Sequence, residues 1–211
     1  MEQIRKELYV AADKPDVSKS GNLAVSPAAL LLAEIERLKA ELTEAECKIA
    51  ELEARADVDP LLDILNRRGF DRELARSLAY VQRYATPAAL VFIDLDGFKA
   101  INDQHGHAAG DALLKAVAAE LAAHVRASDT VARLGGDEFA VLMWNVIEAQ
   151  AAAKAHELET IIGQIGVMHG SAQVSVGASA GIVPLSAAAT PDAIIDAADK
   201  AMYVRKKARR G

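Results

Sequence analysis

An apolar residue recurs every three or four positions near the start of the chain, and this repeat constrains the fold more than any other feature. The alternating spacing of four and three residues is the heptad pattern of a coiled coil. Isoleucine at the a positions with leucine at the d positions favours two parallel helices. The repeat consists of Leu31, Ile35, Leu38, Leu42, Ala45, Ile49, Leu52 and Ala56.

We predict that residues 26–58 form a parallel coiled coil that joins two copies of the chain into a homodimer. Ser26-Pro27 predicts the helix start, since serine is a good N-cap and proline suits the first helical position. The alternative is an amphipathic helix that packs on its own domain. Nearly every outward position is charged or small, so only a narrow stripe remains to be buried, which favours the coil.

Composition indicates that residues 59–211 fold into one globular domain. Hydrophobic residues make up 52% of the chain and charged residues 26%, which suits a packed core. Residues 1–25 end in the polar stretch DKPDVSKSGN and are predicted to be an N-terminal segment that can be flexible. The net charge of −6 disfavours a nucleic-acid polymer as partner, because phosphate contacts need a basic face. The single cysteine, Cys47, excludes an internal disulfide.

The apolar runs of the sequence are much shorter than the roughly 20 residues that a helix needs to cross a bilayer. The first residues, MEQIRKELYVAADK, lack the apolar centre of a secretory signal. We therefore expect no membrane insertion and a cytoplasmic location.

Strand and helix patterns alternate after Asp59-Pro60 without the strict βαβ repetition of a doubly wound sheet. This predicts an α/β fold of the α+β type, in which helices pack on the faces of a central sheet. The expected helices are 66–84, 99–103, 110–125, 148–165 and one that starts at Thr190-Pro191; the expected strands are 88–94, 131–134 and 139–143, with a hairpin of 173–177 and 181–184.

Acidic residues follow two apolar strands. Asp94-Leu95-Asp96 ends one strand, and Asp137-Glu138 lies in the turn between two others. Hard carboxylate oxygens are the ligands that Mg²⁺ prefers, with water and substrate phosphates in the remaining positions. A helix N-cap is the alternative for Asp94 and Asp96, and we expect only one of the two to face the site. Four acids together favour a cation.

The glycines before these acids have a predicted purpose. Gly135 and Gly136 permit a tight turn and leave no side chain between the backbone and an approaching ligand. A purely structural hairpin would favour Asn-Gly or Asp-Gly without a following glutamate. The stretch RLGGDEFAVLM is therefore interpreted as part of a metal–nucleotide site.

Four motifs together resemble the GGDEF family of diguanylate cyclases. They occur in the family's order across residues 57–210, which is far more specific than the pentapeptide alone. The motifs are DPLLDILNRRGF (59–70), DLDGFKAINDQHGHAAGDALL (94–114), RASDTVARLGGDEF (126–139) and ADKAMYVRKKARR (198–210).

The resemblance implies a mixed central sheet flanked by helices, related to the palm of polymerases and nucleotidyl cyclases. It implies condensation of two GTP molecules into cyclic di-GMP with release of two pyrophosphates, across two catalytic domains that face each other. It also implies two Mg²⁺ or Mn²⁺ ions in each active site. The coiled coil would raise the effective concentration of one domain near the other.

The resemblance also assigns roles to individual residues. Asp94, Asp137, Glu138 and the Leu95 carbonyl resemble the metal ligands, and Glu138 resembles the acid beside the attacking 3′-hydroxyl. Asn102 and Asp111 resemble the groups that hydrogen-bond guanine, with His107 near the nucleotide. For Lys206 and Arg210, the alternative to a role in substrate binding is an ordinary basic helix end. For His105 and His107, the alternative is a pair of transition-metal ligands. The catalytic residues implied are Glu138, Asp137 and Lys99, and the substrate-binding residues are Asn102, His107, Asp111, Gly135, Gly136, Lys206 and Arg210.

Arg126 and Asp129 match the family's RxxD product-inhibition site. Arginine suits a bidentate grip on phosphate and stacking on guanine. In the family a further arginine completes this site, but residues 145–170 contain none. The alternative is an Arg–Asp surface pair.

Two positions depart from the family. Leu61-Leu62-Asp63-Ile64 stands where the family usually has Leu-Thr-Gly-Leu, and Arg209 stands where it has glycine. Neither change removes a metal or guanine group, so an active cyclase is the leading hypothesis. The alternatives are a non-catalytic receptor for cyclic di-GMP that signals through the coil, and a cyclase of another nucleotide.

Overall fold

The structure is a computed structural model that describes residues 26–170 and 172–210. The predicted N-terminal segment, residues 1–25, lies outside the described residues. The helices are α1 (Pro27–Ala56), α2 (Arg67–Tyr84), α3 (Phe98–His105), α4 (His107–Ala123), α5 (Glu148–Gln164) and α6 (Pro191–Arg210). The strands are β1 (Ala88–Asp96), β2 (Thr130–Arg133), β3 (Glu138–Trp144), β4 (Gly166–His169), β5 (Ala172–Ser175) and β6 (Gly177–Pro184).

The chain divides into two compact units after Lys48. In the first unit, α1 exposes its apolar stripe along one chain, from Ile35 at 41% to Leu31 at 67% exposed. Its outward side chains form ion pairs along the helix, such as that of Arg37 with Glu34. Such pairs add only a little to helix stability. The apolar stripe remains exposed along this single helix.

The second unit is built on a four-stranded sheet with the strand order β2-β3-β1-β6. Every neighbouring pair in this sheet is antiparallel. Within the described residues, the one parallel pairing is an isolated bridge between Leu65 and Ala132. Helices cover both faces of the sheet, and the predicted α/β fold class is confirmed.

Alternation along β1 divides the core into two layers. Ala89, Val91, Ile93 and Leu95 pack in a cluster with residues of α4 and α5. Ala88, Leu90 and Phe92 pack on the other face with residues of α2 and α6. Since side chains alternate along a strand, Asp94 continues the second series and is directed to the face that carries α6.

The predicted hairpin of residues 173–177 with 181–184 is wrong. β5 pairs with β4 in a separate two-stranded sheet, whereas β6 runs through Gly181 and pairs with β1. Gly181 is needed for close packing instead of a turn, because a Cβ there would lie 2.2 Å from the backbone nitrogen of Met202 in α6. The glycine therefore brings α6 close to the sheet.

The other predicted elements are confirmed, with boundaries that differ by a few residues. α3 and α4 each begin earlier than expected and are separated by Gly106 alone. Gly97 joins β1 to α3 with φ +77°, in the left-handed region that favours glycine. Among residues 26–170 and 172–210, none of the helices has both the length and the apolar character that a bilayer crossing requires.

Candidate active site

Two of the predicted metal-binding acids lie opposite each other in the sheet. The register of β1 and β3 pairs Asp94 directly with Glu138. The turn that follows β2 is joined to β1 as well, because the Leu95 amide donates to the Asp137 carbonyl at 3.1 Å. The structure thus brings Asp94, Asp137 and Glu138 together at one end of the sheet.

Arg133 holds this turn from the other side. Its Nε donates to the Gly135 carbonyl at 3.0 Å, and its Nη2 donates to the Gly136 carbonyl at 2.8 Å. Its Nη1 lies 3.2 Å from Asp59 Oδ2, in an ion pair that is largely shielded from solvent. Sequence reasoning missed this residue, although an arginine directly before Leu134-Gly135-Gly136 was a visible signal.

The two glycines provide space at the site, but neither provides a left-handed turn. Neither takes a positive φ, so a tight left-handed turn is not what requires them. At Gly135 a Cβ would lie 2.7 Å from Glu138 Oε2, and the Glu138 carboxylate takes that space. At Gly136 a Cβ would meet nothing within 4 Å, so the surface above the turn is open to a ligand.

Burial and mutual repulsion both disfavour the charged form of two of these acids. Burial, followed by the charge of Asp94, raises the pKa of Asp137 above its ordinary value. Burial, followed by the charges of Asp137, Asp94 and Asp199, raises the pKa of Glu138, and Arg67 lowers it by less. Carboxylates that repel each other in a half-buried place are stabilised when a cation binds between them.

Lys206 is the cation that the chain itself places here. Its ammonium group contacts the Asp94 carboxylate and lies 3.8 Å from Asp96 Oδ1. The Lys206 side chain is largely buried, so it is not an ordinary solvent-facing helix end. Arg210 ends α6, and its side chain lies outside the described part of the chain.

The expectation that only one of Asp94 and Asp96 faces the site is wrong. Residues two apart on a strand share a face, and Lys206 approaches both carboxylates. Asp96 also accepts hydrogen bonds from Ser179 Oγ, at 3.1 Å to each oxygen. Asp96 therefore has a hydrogen-bond partner in β6. No side chain of β6 donates to Asp94 among the hydrogen bonds described.

The donor set suits Mg²⁺ that arrives with a phosphate ligand. Within residues 26–170 and 172–210, no group of three acidic, histidine or cysteine side chains is placed as a complete metal cage. Mg²⁺ does not need one, since it is usually held by one or two carboxylates with water and substrate phosphates. Burial and mutual repulsion raise the pKa values of Asp137 and Glu138, and a bound cation would lower them.

The predicted guanine-binding residues lie on the two helices that follow β1. Asn102 has a buried Oδ1 without a hydrogen-bond partner. A Cβ at Gly110 would lie 2.0 Å from that oxygen, so the glycine makes room for the amide. Asp111 follows in α4 and is exposed, as are His107 and Lys99. A buried amide oxygen without a partner is costly, so this oxygen would gain from a hydrogen-bond donor.

The predicted RxxD pair is not a side-chain ion pair in the hydrogen bonds described. Asp129 accepts instead from the backbone amides of Arg126, at 3.0 Å, and Trp144, at 3.1 Å. This leaves the exposed Arg126 side chain beside a groove of about 480 Å³. Lys154 of α5 lines the same groove. Residues 145–170 supply no arginine for this place, and a lysine lies there instead.

Comparison with known proteins finds a family model and relatives that resemble most of the chain. Residues 56–211 match the family model described as "Diguanylate cyclase, GGDEF domain". The chain is 38% identical over 184 residues to the diguanylate cyclase TpbB of Pseudomonas aeruginosa, which covers 86% of this chain and 41% of that protein. It is 37% identical over 172 residues to the probable diguanylate cyclase DgcE of Escherichia coli, with 81% of this chain and 16% of that protein covered. The chain therefore spans less than half the length of these curated relatives.

Solved structures agree in fold. The coiled coil and GGDEF domain of DgcB from Caulobacter crescentus, in complex with c-di-GMP, matches with a TM-score of 0.73 at 25% identity, over 84% of this chain and 95% of that one. The GGDEF domain of TpbB matches with a TM-score of 0.66 at 38% identity, over 71% of this chain and 88% of that one.

Because burial and the neighbouring Asp94 charge both oppose ionisation of Asp137, we predict that Asp137→Asn raises the thermal midpoint of the protein in EDTA at pH 7. The pKa of Asp137 is raised in the folded state, so its ionisation opposes folding. The stability from the protonated form is complete below the unfolded pKa of about 4 and is lost as the pH rises through the folded pKa. The advantage of the variant should therefore shrink at low pH.

Thermal unfolding followed by circular dichroism at both pH values measures this effect. Asp63→Asn is the matched control, because Asp63 is exposed and asparagine tolerates its φ of +54°. A lower midpoint for Asp137→Asn than for the wild type at pH 7 in EDTA would contradict the interpretation.

Proposed function

The chain belongs to the diguanylate cyclase GGDEF-domain family, and from this premise we propose that it condenses two GTP molecules into cyclic di-GMP and two pyrophosphates. The observation that supports this most directly is the pairing of Asp94 with Glu138 on adjacent strands, beside Asp137. In each half-reaction, a 3′-oxygen attacks the α-phosphorus of the other GTP, its proton leaves to a base, and pyrophosphate departs. Two facing domains form the two equivalent bonds.

Asp94, Asp137, Glu138 and the Leu95 carbonyl would hold divalent cations, and we propose two Mg²⁺ or Mn²⁺ ions for each site. Bound ions of this kind lower the pKa of the nucleophilic oxygen and stabilise charge on the phosphate. Glu138 would accept the proton of the 3′-hydroxyl, a role supported by its position opposite Asp94 and next to Asp137. Gly136 leaves room above the turn for the substrate.

Basic residues of the chain would neutralise the triphosphate. Lys206 contacts the Asp94 carboxylate in this structure. Once divalent cations occupy the carboxylates, the Lys206 ammonium group would pair with the phosphates instead. Lys99, at the start of α3, and Arg210, at the end of α6, would add further charge. Phosphoryl transfer depends on such positioning and electrostatic stabilisation more than on covalent chemistry.

Guanine would be held by α3 and α4. The unpartnered Asn102 Oδ1 can accept from a donor on the base, and the exposed Asp111 carboxylate can accept from guanine N1 and N2. His107 begins α4 beside them. Adenine carries its amino group at C6 instead of C2 and has no N1 proton, so this acceptor pattern favours guanine.

The proposed activity is tested by chromatography of the nucleotides formed when the purified chain is mixed with GTP and Mg²⁺. We expect cyclic di-GMP, and a loss of roughly a hundredfold or more in rate when Asp137→Ala and Glu138→Ala are combined. Asp63→Asn, which changes an exposed acid elsewhere, should retain the rate. Tight binding of cyclic di-GMP without any turnover of GTP would instead favour the receptor hypothesis.

We also propose that α1 forms a parallel coiled coil that pairs two catalytic domains. The support is the stripe of exposed leucine and isoleucine side chains along α1, which contacts with a second helix would bury. Leu38→Asp should destabilise the dimer by roughly 2–5 kcal/mol, because it buries a charge in the seam.

Analytical ultracentrifugation and cyclase rates at several protein concentrations measure that change. Thr43→Asp adds the same charge on the outer side of the helix and should leave the dimer intact. A Leu38→Asp protein that remains dimeric at micromolar concentration would contradict the proposed seam.

The predicted domain boundaries and cytoplasmic location stay predictions.

Inhibition by the product is the third part of the proposal. Arg126 is free of an ion pair with Asp129 in the bonds described and borders a groove that also contains Lys154. Lys154 is paired with Glu157 at 3.0 Å, so Arg126 would supply the main charge for the phosphates of cyclic di-GMP, and it can also stack on guanine. Arg126→Ala should raise the inhibition constant of cyclic di-GMP by roughly tenfold or more, and Lys154→Ala should raise it less.

Rates measured with added cyclic di-GMP provide the test. Lys115→Ala removes an exposed lysine of α4 and serves as the charge control. Unchanged inhibition in Arg126→Ala would remove this site from the proposal.

A further inference from the structure

We propose that Glu159 and Arg205 are positioning residues that hold Lys206 against the Asp94 carboxylate. The pair lies on α5 and α6: Glu159 is outside the four motifs, and Arg205 is within the stretch 198–210 but has no role assigned by the resemblance. This inference rests on the proposed function, because it assigns Lys206 to the substrate phosphates. Its geometry, however, can be tested without turnover.

Glu159 is a charged side chain in a place where charges are rarely buried. Only 4% of its side chain is exposed. Its Oε1 accepts from the Ala180 amide of β6 at 2.8 Å. Its Oε2 accepts from Arg205 Nη2 at 3.3 Å and lies 3.5 Å from His156 Nδ1. One carboxylate therefore joins α5, the sheet and α6.

The contacts of Glu159 reach α6 one residue before Lys206. Successive residues of an α-helix point about 100° apart, so Arg205 can contact Glu159 while Lys206 reaches Asp94. Gly181 lets the backbone of α6 approach β6 closely. That packing determines how near α6 lies to the sheet, and the Arg205–Glu159 pair opposes its rotation about the helix axis.

The two parts of this contact can be separated by substitution. Glu159→Gln retains an oxygen that can accept from the Ala180 amide, but it removes the charge that attracts Arg205. Arg205→Ala removes the cation, and Arg205→Lys restores a charge with less geometric control. Lys207→Ala is the matched control, because it removes a positive charge from the same helix. The Lys207 ammonium group lies 4.5 Å from the centre of the Tyr203 ring.

The first measurement is steady-state cyclase kinetics with the full chain, GTP and Mg²⁺. Arg205→Ala should raise the KM for GTP roughly fivefold or more while changing kcat less, with partial rescue in Arg205→Lys and little change in Lys207→Ala. In a Lys206→Ala background, Arg205→Ala should add almost nothing, because the residue acts through Lys206. An equal increase in both backgrounds would overturn the proposal.

The second measurement is hydrogen exchange of residues 198–207 in the protein without nucleotide. Arg205→Ala and Glu159→Gln should accelerate exchange in this part of α6, whereas Lys207→Ala should not. If the wild type makes no cyclic di-GMP, the proposed function fails and exchange still decides the positioning role. Unchanged exchange in both variants would overturn it.

Discussion

The structure of the second unit depends on acidic residues that lie directly opposite each other in its sheet. The antiparallel register of β1 and β3 makes Asp94 and Glu138 direct neighbours, and the adjacent turn adds Asp137. A sheet that only had to fold would avoid this, because like charges directly opposite are destabilising. The cost is offset in part by Lys206, and a site of this kind gains stability from any further cation. The repulsion therefore connects the fold to the proposed phosphoryl transfer.

Backbone contacts explain why the acids keep this arrangement. Arg133 binds the carbonyls of both turn glycines, and its ion pair with Asp59 extends the contact to the segment that follows α1 in the sequence. In the same segment, the Leu65 amide donates a hydrogen bond to the Val131 carbonyl of β2. The turn is thus supported by its backbone, and its carboxylates remain available for ligands.

Similar local patterns proved to have different structural causes. Small residues around Gly181 suggest a turn in the sequence, but they lie in a continuous strand against which α6 packs. Gly135 and Gly136 suggest a tight turn that a ligand can approach, and the structure adds that Gly135 leaves the space that the Glu138 carboxylate takes. In each case the missing information is the position of a partner far away in the chain, which local propensity does not contain.

The sequence by itself determined the fold class, most helices and strands, the apolar stripe of α1 and the family, because periodicity and motif spacing are local properties. It also identified the acids, since their chemistry is unusual at strand ends. Only the tertiary structure decided that Asp94 faces Glu138, that Lys206 reaches both Asp94 and Asp96, and that Arg133 holds the turn. It alone also revealed the link from Glu159 to Arg205. Register, helix rotation and burial are long-range properties, and they arise only when distant segments pack together.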